Sequence, residues 1–183
     1  MHVDARGLAD GQVVECEVCI VGAGPAGTIC AREFLDSGMR VALLESGGFG
    51  NERRIQALSA GTLEGHLEEP VEDTHLRQVG GTANHWIIKM ADKRYGYRFA
   101  PLDAIDFEAR PGMPNSGWPI RRADLDPYYA RVHEVCGVGP FDYGADRWSS
   151  AQAQPLTLAG DAVESAAFMF SPTAVFTQEI PAA

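Results

Sequence analysis

Three glycines at the spacing Gly22-Ala23-Gly24-Pro25-Ala26-Gly27 are the residues of this chain best suited to chemistry at a backbone. Glycine at the first position permits a tight turn. At the second, the missing Cβ lets a flat or anionic ligand reach the main chain, and at the third it lets a helix pack closely on a strand. Pro25 falls where a first helical turn tolerates a missing N–H. Ala26, Ile29, Cys30 and Phe34 then recur at helical spacing until Ser37-Gly38. A helix start here offers unpaired N–H groups and the positive end of its dipole, which together receive phosphate. Glu45 follows Gly22 by 23 residues, close to the ~20-residue offset of the acid that accepts from ribose hydroxyls. The pattern reads as a dinucleotide site, and a carboxylate at that position disfavours a 2′-phosphate, so FAD or NAD is preferred over NADP. The alternative is a glycine-rich turn that binds nothing.

A second stretch, Leu76-Arg77-Gln78-Val79-Gly80-Gly81-Thr82-Ala83-Asn84-His85-Trp86, also has residues suited to a ligand. Two adjacent glycines let backbone lie against a planar group. Thr82 and Asn84 add short polar groups, and His85 adds an imidazole beside a large aromatic. On local grounds His85 reads equally as a hydrogen-bonded loop histidine. Cys16 and Cys19 form a Cys-x-x-Cys within a predicted strand, with no second pair. They are expected to be buried structural cysteines rather than metal ligands, and Cys30 and Cys136 are expected on apolar helix faces.

The elements that must position these residues follow from the apolar pattern. Cys16 to Val21 reads as a buried strand and Val41-Ala42-Leu43-Leu44 as a second, giving strand, turn, helix, strand with Glu45 and Ser46 at the tip. Asn51 is expected to cap a short helix from Glu52 to Ser59. Residues 61–76, with Glu64, Glu68, Glu69, Glu72 and Asp73, read as an exposed acidic connection. Ile87 to Met90 reads as a strand, Asp92 to Tyr97 as turn, and Ile105 to Phe107 as a helical turn. Residues 111–119, with three prolines and two glycines, read as loop. A helix from about Ala123 to Cys136 carries a stripe of Leu125, Tyr128, Tyr129, Val132, Val135 and Cys136, and Gly137 stops it. Its tyrosine pair is expected to pack in the core. Residues 149–162 read as a linker or an edge segment, and Ala166–Phe170 and Ala174–Thr177 as β-prone runs. The predicted fold class is α/β, with a Rossmann-like βαβ dinucleotide unit. The predicted division is a leader at 1–14, a cofactor-binding domain at 15–145, and a linker opening a further domain at 146–183.

Composition bounds the partners. The chain has 183 residues, 45% hydrophobic and 22% charged, and a net charge of −10. Such a balance argues against nucleic acid or an anionic membrane as a general partner, because phosphates require basic residues. No apolar run is long enough to span a bilayer. The polar stretch Met1 to Gln12 lacks the apolar core of a secretory signal, so the expected location is cytoplasmic.

Taken together, the glycine turn, Glu45-Ser46-Gly47-Gly48 and Val79-Gly80-Gly81-Thr82-Ala83-Asn84-His85-Trp86 resemble the glucose–methanol–choline (GMC) flavin oxidoreductases. Ala100 to Glu108, Ser116-Gly117-Trp118-Pro119-Ile120 and Asp124 to Tyr129 sharpen the likeness toward the bacterial branch near pyranose oxidases and sugar dehydrogenases. The resemblance implies the N-terminal part of an FAD-binding domain, incomplete relative to the family. It implies a whole protein that passes hydride from a CH–OH group of a sugar or alcohol to the flavin. Gly22, Ala23, Gly24, Pro25, Ala26 and Gly27 would hold the pyrophosphate, and Glu45 with Ser46 the adenosine ribose. Gly80, Gly81, Thr82, Asn84 and His85 would lie along the isoalloxazine ring. His85 matches the position of a covalent flavin link, and the two readings there are a covalent bond and a noncovalent contact. The family's C-terminal substrate sheet and its His paired with His or Asn have no counterpart among the histidines here, which are His2, His66, His75, His85 and His133. No catalytic residue and no metal ligand is therefore expected in this stretch. The two accounts are an enzyme fragment, completed by a C-terminal partner chain, and a noncatalytic FAD-binding module.

Overall fold

The glycine turn is built between two strands that pair in parallel. In the computed structural model, β1 (Val18–Val21) leads into the turn, α1 (Pro25–Glu33) leaves it, and β2 (Val41–Leu44) lies beside β1. Val18 pairs with Val41, Cys19 with Ala42, Ile20 with Leu43 and Val21 with Leu44. Parallel neighbours require a crossover, and α1 supplies it. The structure describes residues 1–65, 69–158 and 163–178. Glu68 and His66, residues 159–162 of the linker, and 179–183 lie outside these.

Two compact units divide the chain, the first spanning Met1–Asn84 and the second His85–Glu179. In the first unit, β1, α1 and β2 are followed by α2 (Arg53–Gln56), a 3-10 turn at Ala57–Ser59 and α3 (Val71–Thr74). Glu52, rather than Asn51, stands at the N-cap of α2, and it makes no side-chain cap. Strand β1 is shorter than the expected Cys16–Val21 run and is not buried. Its burial alternates, with Cys19 and Val21 exposed. Helix α1 ends at Glu33, ahead of Ser37-Gly38, because Phe34 and Leu35 donate to the carbonyls of Ala31 and Arg32 and wind the chain off in tighter turns. Cys30 on this helix is exposed and Cys16 half-buried, which corrects the expectation that these cysteines are core.

The second unit is an antiparallel arrangement. Strands β3 (Ile87–Lys89), β4 (Tyr95–Phe99) and β5 (Met169–Phe170) pair in that order. Tyr95 to Tyr97 therefore belongs to a strand and not to the expected turn, which is confined to the residues before it. Helix α4 (Arg122–Val135) carries Pro127 in its early part, as expected. Its exposed Tyr128 departs from the predicted stripe, and His133 is the buried residue of that helix. Gly137 follows the helix with φ +62°, a left-handed conformation that suits glycine. The β-prone run Ala174–Thr177 instead forms α5 (Val175–Gln178). Ala174, Val175 and Phe176 are buried there, with the Phe176 ring 5.3 Å from that of Tyr97. Packing of those apolar groups overrides the local preference for strand. No helix among the described residues is long and apolar enough to cross a membrane.

Candidate functional site

The first unit joins the two glycine stretches that the sequence singled out. Gly80 donates its N–H to the Ala23 carbonyl at 2.8 Å, and a Cβ on Gly81 would stand 3.1 Å from the Gly24 Cα. Val79 donates to the Gly48 carbonyl at 2.9 Å, and a Cβ on Gly47 would overlap the Arg77 carbonyl oxygen at 1.9 Å. The loop after β2 and the Arg77–Gly81 segment thus lie in backbone contact, and the glycine pair rests on the turn between β1 and α1.

The three glycines of the turn do separate jobs. Gly22 adopts φ +97° and donates to the Leu44 carbonyl at 2.7 Å, which fixes the turn to the tip of β2. Gly27 has no room for a side chain, since a Cβ would lie 1.9 Å from the Gly22 oxygen and 3.4 Å from Ile20 Cγ2. That contact seats α1 on the Ile20 face of the sheet. At Gly24, by contrast, a Cβ would meet nothing within 4 Å. The position beside the helix start is open rather than packed. Gly24 is the N-cap of α1 and gives no side-chain cap, so the first-turn N–H groups depend on another acceptor. Thr28 is buried and its hydroxyl donates to the Gly24 carbonyl at 3.0 Å, which holds the helix start in place.

Glu45 braces the same turn. Its Oε2 accepts the Ala23 N–H at 2.8 Å and its Oε1 accepts the Gly47 N–H at 2.9 Å. Ser46 donates to Oε1 at 3.3 Å, and Arg77 Nη1 donates to the Ser46 hydroxyl at 3.2 Å. Each carboxylate oxygen can accept more than one hydrogen bond, so this structural duty leaves room for a ligand hydroxyl. Arg77 also donates to the Ser59 hydroxyl and, through its backbone, to Gln56 Oε1.

Of the second stretch, Gly81–Trp86 winds as a 3-10 helix. Asn84 Nδ2 donates to the carbonyls of Val79 and Gly81, so its amide ties this loop together. Gly22, Ala23, Gly24, Pro25, Ala26, Gly27, Glu45, Ser46, Gly80, Gly81, Thr82 and Asn84 all belong to the first unit, whereas His85 opens the second. His85 is exposed, as is its neighbour Trp86. Among the described residues no group of three or more His, Cys, Asp or Glu is placed to hold a metal ion.

Two residues escaped the sequence reading. Gln78 is 6% exposed and its Oε1 is buried without a hydrogen-bond partner among the described residues. Its place inside the double-glycine stretch was the signal that could have drawn attention to it. His133, in the second unit, is buried, with Nδ1 3.0 Å from the Gly139 carbonyl and Nε2 2.8 Å from the Tyr143 hydroxyl. A carbonyl only accepts, so Nδ1 carries the proton and Nε2 accepts from Tyr143. Rings of Phe99, Phe141 and Tyr143 surround it at 5.3–6.4 Å, and burial pushes the Tyr143 hydroxyl up to about 12. This histidine is a satisfied core residue. Comparison with known proteins gives no family model and no solved structure that matches the chain.

Proposed function

We propose that the first unit binds the diphosphate and adenosine ribose of a dinucleotide, and that the dinucleotide is FAD. One observation carries the reading. The Gly80–Gly81 pair docks on Ala23–Gly24 through the 2.8 Å bond from Gly80, and Gly24 stays open beside the uncapped start of α1. A turn whose glycines served packing alone would need Gly22 and Gly27 but would leave Gly24 without a reason.

The residues present fit such a group. The first-turn N–H groups of Ala26 and Gly27 would receive phosphate oxygens, and Glu45 would accept from ribose hydroxyls. The choice of flavin, and a whole protein that oxidises CH–OH groups of sugars or alcohols by hydride transfer, rest on the resemblance of the motifs to GMC oxidoreductases. The flavin would supply the hydride acceptor. On the same resemblance Gly80, Gly81, Thr82, Asn84 and His85 would border its ring system, and His85 is the residue at which a covalent bond would form.

The test is a visible spectrum of the purified chain, reconstituted with FAD, before and after acid precipitation. Colour retained with the protein supports the reading, and colour in the pellet places a covalent bond, to be lost in His85→Ala. Displacement of FAD by ADP checks the diphosphate end. A protein that releases NAD and takes up no flavin would replace FAD by NAD, and one that binds neither would leave the turn as a structural device.

A further inference from the structure

Arg77 differs from the other arginines of the first unit. Arg6 pairs with Asp4 and Glu52, Arg40 pairs with Glu17, and Arg32, Arg53 and Arg54 are exposed. Arg77 is half-buried, and no carboxylate among the described residues lies within ion-pair range of it. Two hydroxyls hold it instead. Nε donates to Ser59 Oγ at 2.7 Å and Nη1 donates to Ser46 Oγ at 3.2 Å. Its backbone N–H donates to Gln56 Oε1 at 3.0 Å, so both the main chain and the guanidinium are fixed. A guanidinium carries five N–H donors, and most of these remain unused. Nη2 makes no hydrogen bond among the described residues and, unlike Gln78 Oε1, is open to solvent. Ser46 stands between Arg77 and Glu45, accepting from Nη1 and donating to Glu45 Oε1 at 3.3 Å. Ser46 is exposed, so this chain of donor, hydroxyl and acceptor runs along the surface at the tip of β2.

We propose that Arg77 and Glu45 form a donor–acceptor pair for the two hydroxyls of the adenosine ribose, Glu45 accepting from one and Arg77 Nη2 donating to the other. The proposal rests on the dinucleotide reading above and adds a specificity-determining residue to it. Ribose lies at the tip of the second strand in βαβ nucleotide units, and there Arg77 and Glu45 are separated by a single hydroxyl, that of Ser46. A diol both donates and accepts, whereas a carboxylate only accepts and a guanidinium only donates. Glu45 already accepts from Ala23, Ser46 and Gly47, which leaves Arg77 the less committed group for the second hydroxyl. The bond to Ser46 ties Arg77 to the end of β2 and not to the start of α1, which favours the sugar over the phosphates.

The experiment titrates the full chain with ADP, 2′-deoxy-ADP and 3′-deoxy-ADP by calorimetry. In the native protein both deoxy forms are expected to bind several-fold more weakly than ADP, and full affinity for either one overturns the pairing. This arm needs no variant, so it stands even where a substitution prevents folding. Arg77→Met keeps an unbranched apolar stem and removes the donors. It is expected to weaken ADP about tenfold while leaving unchanged the Kd of one deoxy form, the one that lacks the hydroxyl Arg77 takes. Equal weakening of all three ligands would assign the guanidinium to the phosphates, the adenine or the fold, and overturns the proposal. An unchanged Kd for ADP in Arg77→Met makes the residue structural and overturns it too. Failure of the native chain to bind ADP at all sinks the dinucleotide reading itself, whereas native binding of ADP with either of these last two patterns sinks only the role of Arg77.

Discussion

At the scale of single residues, the glycine turn separates packing from recognition. Gly27→Ala sets a Cβ against backbone at 1.9 Å. The expected outcome is a loss of about 1–3 kcal/mol in a denaturant melt. Gly24→Ala meets no neighbour and is expected to leave stability within about 0.5 kcal/mol, while weakening ADP or FAD binding at least about tenfold by obstructing the approach of the phosphates. Equal losses of stability in both variants would assign Gly24 to packing. Tyr143 offers a pH test. Burial raises its hydroxyl from 10.0 to about 12. Between these values the unfolded chain has given up the proton and the folded chain keeps it, so the folded state binds more protons and stability falls as pH rises through that window. The melting temperature of Tyr143→Phe should fall less than that of the native protein between about pH 9.5 and 11.5. Tyr97, likewise raised chiefly by burial, leaves part of the decline in place. These residue roles were unevenly legible. Spacing announced the glycines and Glu45, but the orphaned oxygen of Gln78 and the enclosure of His133 depend on neighbours brought from elsewhere in the chain.

At the scale of elements, what was legible is what local sequence decides. β2, α4 and the 3-10 turn at Ala104–Phe107 fall close to where their apolar spacing and caps put them. β4 was hidden because Gly96 and the residues before it read as turn. Gly96 is required by the Ser171 carbonyl, which a Cβ would meet at 2.1 Å, and that residue is remote in sequence. The two-stranded sheet of the first unit gives a prediction of its own. The register places Cys19, Val21, Ala42 and Leu44 on the face opposite the one that α1 covers, and Cys19, Val21 and Leu44 are exposed. The sequence reading assumed a strand covered on both faces, as in larger parallel sheets. In the folded chain, Cys19 and Cys30 should react with a thiol reagent in the fast phase, while Cys136, 2% exposed, reacts only on unfolding. Protection of Cys19 in the native chain would mean that another segment covers this face.

At the scale of the whole molecule, charge and division into units matter more than any single contact. The second unit is closed by pairing of Arg98–Phe99 with Met169–Phe170, a contact between distant segments that no local pattern announces. Net charge was legible from composition, and it sets the last expectation. The chain carries 25 acidic and 15 basic residues, so its long-range field opposes an anionic diphosphate. The turn that would receive the phosphates contains no Lys or Arg between Gly22 and Gly27, and the nearby Arg77 is engaged by Ser59 and Ser46. Attraction would then come from short-range N–H groups and the helix start, which salt screens less than exposed charges. Raising ionic strength from about 0.01 M to 0.15 M shortens the screening length from about 30 Å to 8 Å, which removes repulsion more than attraction. ADP binding to the native chain, followed by calorimetry, should tighten modestly or hold constant over that range. Marked weakening with salt would mean that basic side chains carry the phosphates and that the backbone cradle does not.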